Sequence, residues 1–154
     1  MRGMNLSRAV ARTGALLAVV AAALTAFAAK EATVEELKAR LSSTNVGDRP
    51  QLCLQIADKQ LAAADKLYAA VESEKAQAAV TDVTTFAELA RDYSIQSRKH
   101  QKQTEISVRR MIRKLEEIKR TVTVEEQTPL QNAISHLQRV RDDLLAAMFP
   151  KGEK

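Results

Sequence analysis

The sequence predicts an all-α protein: an elongated antiparallel bundle of three long helices plus one short N-terminal helix, after a cleaved signal peptide. A length of 154 residues suffices for one domain. The chain has only 4 glycines and 3 prolines, whereas a β-sandwich or barrel needs a turn signal about every 8–12 residues. Apolar residues recur three and four positions apart beyond residue 33, which is typical of helices.

The first 28 residues have the layout of a secretory signal peptide. Three arginines precede an uncharged apolar stretch over 13–29, and Ala26-Phe27-Ala28 offers the small residues that a signal peptidase recognises. An uncleaved anchor is the alternative, but the stretch is short for crossing ~30 Å of hydrocarbon. We therefore expect cleavage after Ala28, or after Ala29, and an exported protein that is periplasmic or extracellular.

This leader divides the chain into a signal peptide over 1–28, a helical bundle domain over 29–149 and a flexible tail over 150–154. The whole chain has 24 basic and 19 acidic residues, a net charge of +5. Removal of three leader arginines lowers the net charge to +2. The basic character of the full sequence thus overstates the case for a nucleic-acid partner, which the charge of the mature chain does not favour.

The first two predicted helices both begin with a capping residue. Thr33 and Glu36 form a capping-box pattern before a short helix over 34–43. Asp48 is a favoured N-cap for a second helix that extends to about residue 79. The apolar positions of this second helix alternate three and four residues apart, like a coiled-coil seam: Leu54, Ala57, Leu61, Ala64, Tyr68 and Val71.

The third and fourth predicted helices complete the bundle. An apolar row with one stutter predicts a single helix over 82–119. Thr128 as cap and Pro129 in the first turn predict a last helix that ends before Pro150. Because the connections near 80 and 124 are short, neighbouring helices should be antiparallel.

The composition argues against catalysis, cofactors and metals. A single cysteine excludes an intramolecular disulfide and a Cys-only metal site. Neither His100 nor His136 has a ligand residue one turn away, and the few glycines leave no phosphate-binding loop. Adjacent acidic pairs point ~100° apart on a helix and do not face each other. We expect a non-enzyme without a cofactor, a metal or a small-molecule substrate.

Two features of the apolar faces allow more than one interpretation. Ser97, His100 and Thr104 form a polar patch that either fixes the register between helices or lies exposed at the end of the bundle. The alternative is a small ligand or metal site. Cys53 is expected to be a buried thiol, with an intermolecular disulfide as the alternative.

Charge is unevenly distributed, and residues 97–120 have a net charge of +6. Five of their basic residues, here called the basic strip, repeat on the outward face of the predicted third helix: Arg98, Lys102, Arg109, Arg113 and Arg120. The functional interpretation is an electrostatic contact surface. The alternative is a solvent-exposed helix face without a binding role, whose charge is partly neutralised by i,i+4 ion pairs such as Glu105–Arg109, Arg113–Glu117 and Glu116–Arg120.

These observations predict a non-enzymatic interaction or structural module of the cell envelope. A protein partner or self-association through helix faces is the leading hypothesis, with the basic strip as a contact. The alternative is binding of anionic lipid, lipopolysaccharide or nucleic acid through the same strip, which would weaken steeply with added salt.

Overall fold

The computed structural model describes residues 31–152 and is all-helical over that range, as predicted. The predicted signal peptide and the last two residues of the tail lie outside the described residues. The structure contains these helices: α1 (Val34–Leu41), α2 (Arg49–Ala69), α3 (Ser73–Ser97), α4 (Gln101–Lys119) and α5 (Val124–Met148). The described chain thus has four long helices after the short one, and the prediction of three long helices is wrong.

Capping boxes fix the starts of α1 and α5. Thr33 and Glu36 bond reciprocally before α1, as the sequence predicts. In α5 the capping box is formed by Thr123 and Glu126, so the helix begins before the predicted Thr128. Pro129 consequently lies inside α5 rather than in its first turn.

The boundary between α2 and α3 lies about ten residues before the predicted one. α2 ends in a Schellman motif, in which the Glu72 amide donates to the Leu67 carbonyl at 2.9 Å and Val71 adopts φ 60°. Glycine normally occupies such a left-handed position, so this valine gave no sequence signal. The predicted cap Asp82 lies inside α3, where its carboxylate accepts bonds from Lys38 and Gln60.

The predicted helix over 82–119 is in fact two helices. The chain turns at 98–100, where both Arg98 (φ 56°) and His100 (φ 61°) are left-handed. Neither residue is a glycine, and the apolar periodicity continues through the turn, so the sequence does not mark this break.

The four long helices pack in the cyclic order α2, α3, α5, α4, and α1 packs against α2. Cross-helix contacts give the directions. Along α2 from Arg49 to Gln60, the contacted residues of α3 go backwards from Tyr93 to Asp82. α2 and α3 are therefore antiparallel. Along α2 from Asp58 to Asp65, the contacted residues of α4 go forwards from Arg110 to Lys114. α2 and α4 are therefore parallel. By the same test α4 is antiparallel to α5, while α3 and α5 are parallel.

One apolar core lies at the centre of this arrangement. Each long helix contributes side chains that are buried completely or almost so, among them Ile56, Val83, Met111, Leu115, Ile134 and Leu137. α1 adds Leu37, which is 1% exposed. Between residues 31 and 152, none of the helices combines the length and the apolar character needed to cross a membrane.

Candidate interaction surface on α4

The structure divides the basic strip between α4 and the preceding turn. Lys102, Arg109 and Arg113 lie on α4, Arg120 is its C-cap, and all four side chains are exposed. Arg98 is also exposed, but it caps α3 on the other side of the turn. The predicted single helical row of five is therefore wrong for Arg98. The other four share the outward face of α4.

Most of the strip is free of neutralising carboxylates. Arg109 lies 3.8 Å from Glu105, as expected for that i,i+4 pair. Within residues 31–152 the other four strip residues have no carboxylate oxygen within 4.0 Å. The predicted Arg113–Glu117 pair is absent there, and Glu117 instead lies 3.8 Å from Lys114. The strip therefore carries uncompensated positive charge at its surface.

A second basic row on α4 faces α2 and is neutralised. Arg110 Nη2 donates to Asp58 Oδ2 at 2.7 Å, and Lys114 Nζ lies 2.8 Å from Asp65 Oδ2. The bond to Asp65 raises the pKa of Lys114 above its ordinary value. α4 thus divides its basic residues between a row that pairs with α2 and the strip that faces solvent.

A groove of about 500 Å³ lies between α2 and α4, next to the strip. Leu61 and Ala62 give it an apolar floor, and Arg113 belongs both to its wall and to the strip. Ile106, which is 37% exposed, adds apolar surface on α4. The region therefore offers positive charge beside apolar area, a combination common at protein contacts.

The orientation of α4 depends on a buried acid that sequence reasoning assigned to the surface. Glu105 is 6% exposed and accepts a bond from Arg141 Nε of α5 at 2.7 Å. This charge-assisted contact ties α4 to α5 along one border of the strip, where Glu105 also lies 3.8 Å from Arg109. Its partner is 36 residues away in sequence, so local spacing could not reveal it.

The three residues of the polar patch do not converge. Thr104 Oγ1 bonds Ser94 Oγ at 2.7 Å between α3 and α4, and both residues are fully buried. Ser97 Oγ donates to the Tyr93 carbonyl at 2.6 Å, while the His100 ring lies 3.3 Å from the Gln51 amide nitrogen. The residues form local bonds instead of lining one site. Thr104 does link two helices, but its partner Ser94 belongs to the segment that was predicted to form one helix with it, so the register interpretation did not foresee this bond.

The other candidate groups lie apart from each other. His136 is half-exposed and bonds Glu88 of α3. Cys53 is fully buried, and burial raises the pKa of its thiol to about 12. Across the described residues there is no group of three His, Cys, Asp or Glu side chains that could hold a metal ion.

Comparison with models of protein families, with curated proteins and with solved structures finds no match to this chain.

Proposed function

We propose that this chain is an exported, non-enzymatic helical protein of the cell envelope that acts as a protein–protein interaction module. Its contact surface is the outward face of α4, and its partner presents acidic side chains. The observation that carries this proposal is the unpaired state of Lys102, Arg113 and Arg120 within the described residues, beside paired Arg110 and Lys114.

The physical argument concerns which cations remain available. Charges already bonded to carboxylates attract a partner weakly, whereas unpaired charges act over a Debye length of about 8–10 Å in physiological salt. Complementary charge mainly raises the association rate and selects the partner. The exposed Ile106 and the adjoining groove supply apolar area that can contribute to affinity after encounter.

The same cations support a second candidate, binding to an anionic lipid surface or to lipopolysaccharide. Each basic residue near such a surface contributes about 1 kcal/mol of attraction. A protein partner would engage Ile106 in a defined contact, whereas a lipid surface would respond chiefly to the number of charges. This difference permits a direct test.

The test places a photo-crosslinking amino acid at position 106 in cells that naturally produce the protein. The matched control site is Gln138, which is exposed on α5. We expect discrete protein adducts from position 106 and none of the same mass from position 138. Identical adduct patterns from both sites, or no protein adduct from position 106, would contradict the proposal.

Charge variants then identify the cause of binding. The triple variant Lys102→Gln, Arg113→Gln and Arg120→Gln should abolish the position-106 adduct. The control triple Arg40→Gln, Lys75→Gln and Arg139→Gln removes the same charge from other exposed positions and should retain the adduct. If both triples bind phosphatidylglycerol vesicles with equally reduced affinity and no protein adduct forms, the lipid candidate replaces the protein partner.

Export is part of the proposal and has its own measurement. Intact mass of the protein purified from its native cells should show a chain that begins at residue 29, or at residue 30. A chain that retains the first 28 residues and fractionates with membranes would support the anchor alternative.

A further inference from the structure

The three-residue connection between α3 and α4 contains two left-handed residues. Arg98 has φ 56° and His100 has φ 61°. For residues other than glycine this conformation costs roughly 1–2 kcal/mol each. A right-handed helical conformation at 98–100 would remove both costs, and the segment contains no glycine or proline to oppose it.

The buried residues on either side of this turn lie on one unbroken helical repeat. The repeat alternates steps of three and four without a stutter: Val80, Val83, Ala87, Ala90, Ser94, Ser97, Gln101, Thr104, Val108, Met111, Leu115 and Ile118. All are buried except Ser97 and Gln101, which are half-buried. If 98–100 became helical, α3 and α4 would form one helix of about 70 Å whose apolar side stays in phase.

The packing divides the bundle into two halves at the same turn. α2 packs most extensively on α3, and α4 packs most extensively on α5. The contacts between the halves join α3 to α5, α2 to α4 and α3 to α4, and each of these three is less extensive than the contact within either hairpin. Each half is therefore a helical hairpin that can keep its own packing while it exchanges one hairpin partner for another.

We propose that this chain forms a domain-swapped dimer in which residues 98–100 become helical and the α4–α5 hairpin of each copy packs on the α2–α3 hairpin of the other. Domain exchange re-forms the same contacts between two molecules, and a short strained hinge favours it. The occupant of the exposed α2–α3 face is thus a second copy of this chain. This inference goes beyond the proposed function, since α4 still presents its basic strip to solvent after the exchange.

The exchange loses a few contacts near the hinge. His100 leaves Gln51, and Lys99 leaves Gly47, against which its side chain packs in the closed form. Ser94 and Thr104, ten residues apart, lie about 15 Å apart along a continuous helix and can bond only between chains. The monomer and the dimer therefore differ mainly at the hinge.

The first test uses two ion pairs of equal length, only one of which crosses between the halves. Lys114–Asp65 joins α4 to α2, whereas Lys38–Asp82 joins α1 to α3, and each distance is 2.8 Å. Light and isotopically heavy chains, starting at residue 29, are unfolded together and refolded at high protein concentration. The dimer is isolated by size exclusion and treated with a carbodiimide, which links amine to carboxylate without a spacer.

In a swapped dimer, Lys114–Asp65 peptides should contain mixed light and heavy isotopes in about half of all cases, as random pairing gives, while Lys38–Asp82 peptides should never be mixed. A dimer whose Lys114–Asp65 links are all within one chain would overturn the proposal. So would a chain that remains monomeric by light scattering after refolding at every concentration.

Hinge variants give a second, independent measurement. The double variant Arg98→Gly and His100→Gly relieves the left-handed strain of the closed form and weakens the continuous helix. It should lower the dimer fraction about tenfold or more. Val71→Gly is the matched control, because it relieves the same strain within the α2–α3 hairpin and should leave the dimer fraction unchanged. Equal effects of the two variants would contradict a hinge at 98–100.

Discussion

At the scale of single residues, Tyr68 is the polar group whose burial is least compensated. It is 8% exposed, and its hydroxyl has no hydrogen-bond partner within residues 31–152. Burial is the main cause of the raised pKa of this phenol, and nearby Glu126 adds to it. An unpaired buried hydroxyl costs roughly 1–3 kcal/mol of stability, so its presence destabilises the bundle.

We therefore expect Tyr68→Phe to leave the free energy of unfolding unchanged or to raise it by about 1 kcal/mol. Tyr68→Ala should lower the same quantity by about 3–5 kcal/mol, because the ring fills the core. Urea denaturation monitored by circular dichroism measures both changes. A Phe variant destabilised by more than about 1 kcal/mol would mean that the hydroxyl has a bonded partner.

Cys53 makes stability depend on pH in the alkaline range. Its folded pKa, about 12, lies above the ordinary value of 9.0 because the thiol is buried. The folded state thus disfavours the thiolate. The stability associated with the neutral thiol is complete below pH 9 and is lost as the pH rises toward 12.

The expected result is a decline in the free energy of unfolding above pH 9 that is smaller in Cys53→Ala. The alanine variant should be less stable at neutral pH, because it leaves a small cavity. Iodoacetamide should modify Cys53 rapidly only in denaturant. Rapid labelling of the folded chain at neutral pH would contradict a buried thiol.

At the scale of helices, the helix ends show what local sequence can and cannot reveal. The capping box at Thr33 was visible because the pattern needs particular residue types three positions apart. The breaks at Val71, Arg98 and His100 were not visible, because all three residues adopt the left-handed conformation in which a glycine would normally mark the helix end in the sequence. Helix class was therefore predictable, whereas these two breaks were not. The start of α5 was also missed, although Thr123 and Glu126 show the same capping-box pattern in the sequence.

Val71 offers a stabilising change at one of these boundaries. Its side chain is 81% exposed, so it contributes little packing, yet it has φ 60°. Val71→Gly should raise the free energy of unfolding by about 1 kcal/mol, because glycine adopts this conformation without steric cost. Val71→Ala is the control and should give less than half of that gain. A destabilised glycine variant in urea unfolding would contradict the assigned Schellman motif.

The basic strip on α4 also has features that sequence spacing predicts and others that it does not. Sequence spacing placed Lys102, Arg109, Arg113 and Arg120 on one exposed face, and the structure agrees. Sequence spacing could not show that Glu105 bonds Arg141, since that contact depends on how α4 packs on α5. Sequence spacing also could not show that Arg110 and Lys114 form ion pairs with α2 while, in the described part of the chain, the strip residues other than Arg109 have no such partner.

At the scale of the whole molecule, the bundle consists of two hairpins joined at an exposed turn. Arg98 and Lys99 are both exposed there and lie outside helices, whereas most other basic residues lie within helices. Proteases cut preferentially at such accessible, non-helical sites. The turn should therefore be among the first points of tryptic cleavage, together with Arg120 and Lys151, which are also exposed and outside helices.

Brief trypsin treatment should cut after Arg98 or Lys99 and leave the two fragments associated, because the contacts of α3 with α5 and of α2 with α4 remain. The fragments should co-elute on size exclusion and separate only in denaturant. The control Arg98→Gln with Lys99→Gln should resist the cut between the two hairpins. Fragments that separate in native buffer would show that the covalent connection is required for packing.

The pairs between α4 and α2 imply that the contact surface is wider when occupied than when free. Arg110–Asp58 and Lys114–Asp65 are partly exposed, and such pairs contribute only about 0–1 kcal/mol each. A strongly anionic partner that arrives at the strip can therefore recruit Arg110 and Lys114 at small cost. The number of basic side chains that bind the partner then increases with the acidity of the partner. The affinity of the protein would therefore rise with the negative charge density of the surface that it binds.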